Sequence, residues 1–239
     1  MNTIKVDKGT VKMVAHRGLS GIETENTNMA FVAAGNRSYY GIETDIYRTA
    51  DGKYVLFHDG TTDRVGGVSY SIEQTDFDTL RALPLKDRYT GAPRNDVRIS
   101  TLEEYIGICK KYEKVAVLEL KSAFTDEQIA QICNKITDFE YLENTVFISF
   151  GFENLVKVRK LYPQQTVQFL ISSFSDELLD RLVEHKMDLD IHYKALNKEI
   201  IDRLHAAGIK VNCWTVDNKD DAQALISWGV DYITSNILE

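Results

Sequence analysis

Apolar residues along the chain fall into eight short runs: VKMVA (11–15), GIETDIY (41–47), VAVLEL (115–120), TVFISF (145–150), TVQFL (166–170), MDLDIHY (187–193), IKVNCWTV (209–216) and VDYITS (230–235). Each has strand length, and amphipathic stretches of helical period separate them. Helix starts are signalled by residue pairs with capping-box spacing: Thr125 with Gln128, Ser100 with Glu103, and Thr101 with Glu104. Asp176, Asn197 and Asn218 stand where later helices should be capped, and Gly208 and Gly229 where helices should end. From Thr145 onward a strand plus a helix recurs every roughly 21 residues, without sequence similarity between the units. Strands joined by helices imply parallel neighbours, and closing eight of them gives an α/β fold, the (β/α)8 TIM barrel. The alternative is an open doubly wound sheet, which the lack of a GxGxxG turn after the first strand disfavours.

Two segments interrupt the alternation. Asp51-Gly52 is a hairpin signal, so YVLFHD (54–59) should run back antiparallel beside the second strand. The stretch from about Gly60 to Ile99 holds Gly66-Gly67, Pro84 and Pro93 and one short helical pattern. It is too long for an ordinary βα loop and reads as a small insertion capping the barrel. The expected organisation is one barrel domain over 1–239, with an insertion at about 60–99 after the second-strand hairpin.

Charge and cysteine content narrow the function classes. The 239 residues carry 28 Lys and Arg against 36 Asp and Glu, a net charge of -8. That balance argues against non-specific binding to nucleic acid or anionic membrane, while leaving room for one local basic pocket. Cys109, Cys133 and Cys213 form no CxxC pair and read as reduced core residues. No run approaches the roughly 20 apolar residues of a membrane span, and the N-terminus lacks a signal-peptide core. A cytoplasmic location is the expectation; oligomeric state is not legible.

The catalytic mouth of such a barrel lies at the C-terminal ends of its strands. His16-Arg17-Gly18 ends the first strand, Glu43 and Asp45 lie on the second, Glu119 and Lys121 end the third, and Trp214 lies on the seventh. Glu43 and Asp45 share a face because they are two apart, as do Glu119 and Lys121. Neither face of a barrel strand welcomes an unpaired carboxylate. Three inward carboxylates repel one another unless a cation sits among them, and oxygen ligands select magnesium or calcium over zinc. With a two-residue Asp51-Gly52 loop, Asp45 should face His58, placing a second histidine at the same rim. Two imidazoles can share general acid and base duty, and a cation with Arg17 and Lys121 can neutralise a phosphate. This equipment suits phosphodiester cleavage, and equally other hydrolyses or lyase chemistry.

In the motifs AHRG (15–18), ENTNMAF (25–31), IETDIYRTADGKYVLFHD (42–59), TDR (62–64), TLEE (101–104), LELK (118–121) and WTV (214–216), the chain resembles the glycerophosphodiester phosphodiesterase family. The resemblance spans nearly the whole length. It implies metal-dependent hydrolysis of small-molecule glycerophosphodiesters to sn-glycerol 3-phosphate and an alcohol. By matching positions, His16 and His58 would be the general acid–base pair. Glu43, Asp45 and Glu119 would hold one divalent cation, Mg2+ or Ca2+. Arg17 and Lys121 would contact the phosphate, and Trp214 would pack by the glycerol end. The glycerol hydroxyl next to the phosphate would itself attack, giving a cyclic phosphate that water opens. Two positions depart from the family pattern: Thr24 replaces the proline before ENT, and ITSNILE replaces an Asp-x-Pro tail. Neither falls on a proposed metal or histidine position.

Other residues carry blander expectations. His185 and His205 read as surface or packing residues, and His192 as structural with a substrate contact as the alternative. Glu25 and Asn26 read as caps of the first helix near the His16 strand. Phe150, Phe152 and Tyr193 read as core packing with shaping of the pocket as the alternative, and Asp63 and Arg64 as an ion pair tying down the insertion. Two further functions remain open: a related phospholipase acting on intact lipid, and a catalytically silent barrel that binds a phosphorylated ligand.

Overall fold

The computed structural model describes residues 2–239. Eight parallel strands close into a barrel: β1 (Lys12–Ala15), β2 (Gly41–Arg48), β3 (Val115–Leu120), β4 (Thr145–Ser149), β5 (Val167–Ile171), β6 (Asp188–His192), β7 (Val211–Trp214) and β8 (Tyr232–Ser235). Each strand pairs with its sequence neighbours, and β1 closes the ring by pairing with both β2 and β8. The open-sheet alternative is thereby excluded. Seven helices pack outside: α1 (Asn28–Gly35), α2 (Leu102–Lys111), α3 (Asp126–Asp138), α4 (Phe152–Leu161), α5 (Asp176–His185), α6 (Lys198–Ala206) and α7 (Lys219–Trp228). After β8 the chain instead turns back beside the N-terminal segment, where Ile4 bridges Leu238, and Leu238 is buried in the helix–sheet layer.

The two-residue period of the strands builds two apolar layers. Outward residues such as Met13, Ile42, Leu118, Phe147, Leu189 and Val211 meet the helices in the main core. Inward Val14, Val117, Ile148 and Leu170 form a smaller plug inside the barrel. The three cysteines are buried, free and reduced. No helix among the described residues is long and apolar enough to cross a membrane.

Capping chemistry explains most helix starts. Thr101 with Glu104 and Thr125 with Gln128 form complete capping boxes, and Asn197 and Asn218 cap α6 and α7. Two caps differ from expectation. Ser100 pairs in a short strand with the hairpin, so its spacing to Glu103 has no capping role. Ser175, rather than Asp176, caps α5, because Ser175 is the last extended residue before the helix.

The hairpin also differs by one residue. Its loop is Ala50-Asp51-Gly52, with the Thr49 N–H donating to Lys53 O at 2.8 Å and Gly52 at φ +83°. A three-residue loop closed by a left-handed glycine sets the pairing to Ile46 with Leu56 and Tyr47 with Val55. Phe57, not His58, then faces Asp45, and its N–H donates to Asp45 O at 3.0 Å. The segment beyond builds a separate small core from Val55, Phe57, Val65, Ile72, Leu80, Leu85, Val97 and Ile99. Arg81 anchors it to α2 through Glu104.

Candidate active site

The C-terminal mouth gathers His16, Arg17, Glu43, His58, Glu119, Lys121 and Trp214 around one cleft of about 100 Å3, with Asp45 buried in its wall. Strand order alone explains the convergence of the carboxylates, since β2 and β3 are adjacent and Asp45 is in register with Glu119. One carboxylate oxygen from each of Glu43, Asp45 and Glu119 lies within 4.8 Å of the others. All three residues are buried.

Their electrostatics are those of a cation site. Burial and the neighbouring Asp45 and Glu119 charges push Glu43 well above the usual carboxylate range. Burial and Asp45 push Glu119 up to about 7, against the pull of Lys121. Burial raises Asp45 too, but the Lys121 and Arg17 charges outweigh it and hold this carboxyl below its ordinary value. The Lys121 ammonium lies 2.9 Å from Glu119 and 3.3 Å from Asp45, partly balancing the cluster. Three clustered hard oxygen donors, two of them driven towards protonation when no other cation is near, fit a divalent ion.

The HRG motif has a backbone reason. Arg17 (φ +53°) and Gly18 (φ +73°) are both left-handed, which reverses the chain after β1. The Arg17 N–H then donates to Glu43 Oε2 at 2.7 Å. A Cβ on Gly18 would sit 2.7 Å from the Ala30 backbone, so helix α1 can approach only a glycine.

Both histidines are oriented. His16 Nδ1 lies 2.8 Å from Asn236 Oδ1, and Asn236 Nδ2 donates to Asp217 at 2.5 Å. The amide oxygen is therefore the acceptor, His16 carries its hydrogen on Nδ1, and the Nε2 lone pair is left towards the carboxylates, 4.0 Å from Glu43. Burial, then the Arg17 charge, lowers His16 to about 4, so the ring is neutral at neutral pH. His58 Nδ1 lies 2.7 Å from Asp59 Oδ1, which leaves its Nε2 available. His58 reaches the cleft despite the shifted register because its strand ends at Leu56.

An ion-pair chain joins the two sides. Asp59 accepts from Arg64 Nε at 2.6 Å, Arg64 grips Glu25 with two bonds of 2.7 and 2.8 Å, and Glu25 accepts from Arg17 at 2.9 Å. Arg64 thus ties the insertion to Glu25 and Asp59, whereas Asp63 takes a hydroxyl hydrogen bond from Thr61. Thr27 caps α1; Glu25 and Asn26 serve the site instead. Asn26 donates to Asp45 Oδ2 at 2.8 Å and accepts from Thr44 at 2.7 Å. The departure from the family tail also bears on a histidine after all, because Asn236 is the residue that holds His16.

The aromatic residues form the remaining wall. Trp214 packs edge-to-face with Phe150 at 5.7 Å and with His192 at 5.3 Å. Phe150 is 49 % exposed rather than core. Phe152 is buried against Phe169, and Tyr193 is half-buried with its hydroxyl on Asp221. His185 packs on Phe152 and His205 pairs with Asp231, both away from the cleft. Asn236, Asp217 and Asp190 were not legible as site residues. Asn236 and Asp217 lie beyond the ends of β8 and β7, and only barrel closure brings them to His16.

A closed (β/α)8 barrel with two imidazoles, a carboxylate triad and two cations at its C-terminal mouth belongs to the class of hydrolytic barrels that handle phosphate esters. Residues 16–238 match the Glycerophosphoryl diester phosphodiesterase family, and the chain belongs to that family, whose members are phosphoric diester hydrolases. A Bacillus subtilis glycerophosphodiester phosphodiesterase is 30% identical, covering 93% of this chain and 82% of its own length. Mouse glycerophosphodiester phosphodiesterase 1 is 28% identical over 96% of this chain and 79% of its own. Among solved structures, an Oleispira antarctica phosphodiesterase in complex with the product sn-glycerol-3-phosphate superposes with a TM-score of 0.88 at 26% identity, covering 98% of this chain and 96% of that one.

Proposed function

We propose that this protein hydrolyses glycerophosphodiesters to sn-glycerol 3-phosphate and an alcohol, using His16 and His58 as the acid–base pair. The observation that carries this reading is the pair of imidazoles at one cleft, each held through its Nδ1 with Nε2 left free. His16 is neutral with its Nε2 lone pair directed inward, which suits a base. His58 Nδ1 is held by Asp59 Oδ1 at 2.7 Å, which leaves its Nε2 free to serve the leaving oxygen. The Oleispira structure, with its bound sn-glycerol-3-phosphate, supports the product assignment.

Glu43, Asp45 and Glu119 would hold one divalent cation, Mg2+ or Ca2+, which when bound supplies positive charge to the phosphoryl oxygens. Arg17 and Lys121 add to that charge, and Trp214 packs against the glycerol unit. His16 removes the proton of the glycerol hydroxyl next to the phosphate as its oxygen forms a bond to phosphorus. The bond from phosphorus to the alcohol breaks, and His58 gives the departing oxygen a proton. Water then opens the cyclic phosphate with the two histidines in exchanged roles, so the net change is addition of one water.

The test is release of glycerol 3-phosphate from a panel of soluble diesters with Mg2+, Ca2+ or EDTA, for wild type and His16→Ala. Metal-dependent turnover that His16→Ala lowers by at least about a hundredfold is expected. Turnover only on lipid vesicles would move the assignment to a phospholipase. Binding without turnover would identify a silent barrel. Cleavage at full rate of a diester lacking the adjacent hydroxyl would remove the cyclic step.

A further inference from the structure

Asp190 lies on β6, across the barrel from the β2 carboxylates, and lines the same cleft. It is 1 % exposed. Its Oδ1 is fully enclosed and has no hydrogen-bond partner among the described residues. Asn212, its partner in register on β7, donates from Nδ2 to Gln168 at 3.2 Å, and Thr234 Oγ1 donates to Asn212 at 3.1 Å. Lys121, an ammonium lining the same cleft, is paired with Asp45 and Glu119. Ile148 and Leu170 complete the surroundings. A buried carboxyl without a partner is costly to keep, so its partner is expected to come from outside the chain.

The chemistry of that partner follows from what an enclosed carboxyl oxygen can bond. Burial, then the Glu119 charge, raises Asp190 well above the usual carboxylate range. A carboxyl accepts from a hydroxyl in either protonation state, and when protonated donates to it as well. It is also outside the triad whose oxygens cluster for a cation.

Resting on the proposed function, we infer that Asp190 is a specificity residue that hydrogen-bonds the primary hydroxyl of the substrate's glycerol unit, the one remote from the phosphate. Position selects this hydroxyl. The phosphate and its adjacent hydroxyl belong with Arg17, Lys121, the histidines and the triad on the opposite strands. The departing alcohol must leave through the open mouth, whereas Asp190 is on the enclosed floor.

The test compares glycerophosphocholine with the phosphocholine ester of 1,2-propanediol, which keeps the adjacent hydroxyl and lacks the remote one. Wild type should favour the glycerol ester by about tenfold or more in kcat/KM. Asp190→Ala should abolish that preference, mostly through KM, and leave the propanediol ester nearly unchanged. Asp190→Asn, which also donates and accepts, should retain most of it. Calorimetric binding of glycerol 3-phosphate against 1,2-propanediol 1-phosphate reads the same preference without turnover, so failure of the hydrolytic reading does not obscure the result. Melting should show Asp190→Ala as stable as wild type or more so. Equal loss on both esters, an unchanged preference, or a lowered Tm with equal loss would overturn the inference.

Discussion

Cation binding to the triad should release protons, and more of them at pH 6 than at pH 8. The perturbation is pH itself. Glu119 stands at about 7 against an ordinary 4.5. With that value it is roughly 90 % protonated at pH 6 and roughly 10 % at pH 8. A divalent ion needs the deprotonated carboxylate, so the release should fall by about 0.8 proton between these pH values. The affinity should rise about tenfold over the same span from Glu119 alone, or about 1.4 kcal/mol. Glu43 is raised in the same direction and steepens the trend.

Thermal melts would not isolate this effect. Glu119 binds its proton more tightly folded than unfolded, so its contribution is present below pH 4.5 and is lost as pH rises through 7, about 3 kcal/mol in all. His16 at about 4, against 6.5 unfolded, contributes with the opposite sign, gaining as pH rises from 4 to 6.5. The two nearly cancel where their ranges overlap. Calorimetric titration with Ca2+ or Mg2+ avoids the overlap, because His16 is already neutral at pH 6. Run in two buffers of different ionisation enthalpy, it counts the protons directly. Equal proton counts and equal affinities at pH 6 and pH 8 would refute the assignment of these carboxylates as a coupled cation site.

Two predictions concern residues that build the site without joining the chemistry. Gly18→Ala should destabilise the fold by about 2–4 kcal/mol, from a left-handed backbone and a Cβ pressed on Ala30; urea unfolding measures it, and a loss below about 1 kcal/mol would show that α1 yields freely. Asn236→Leu frees the His16 ring and its hydrogen from their holder. It should lower kcat by about ten- to a hundredfold with KM little changed, and steady-state kinetics showing normal kcat would rule out an orienting role.

How much was legible depends on the distance over which each feature is encoded. All eight strands could be read, because alternation of apolar residues on β1, β2 and β3 is set within a few positions and both barrel faces are buried. The carboxylate triad could be read for the same reason: Glu43 and Asp45 share a face by spacing alone, and Glu119 sits at the matching height of the next barrel strand. The hairpin register was misjudged by one residue, since Asp51-Gly52 fits both a two- and a three-residue loop, and the choice rests on Thr49 closing onto Lys53. Local capping patterns hid the roles of Glu25 and Asn26, because an acidic residue and an amide before a helix read as caps.

The order of strands, the apolar layers and the chemical identity of the mouth were thus determined by the sequence itself, through short-range periodicity. The tertiary structure decided which groups hold the histidines and which carboxyl is left without a partner. His16 and Asn236 are 220 positions apart and meet only because β1 pairs with β8. Arg64 links Asp59 to Glu25 only because the insertion folds back over the mouth. Asp190 reads as one more inward polar residue until packing shows its Oδ1 enclosed without a partner. Contacts made by ring closure carry no periodic signal along the chain, and satisfaction of a buried polar group is a property of the whole neighbourhood.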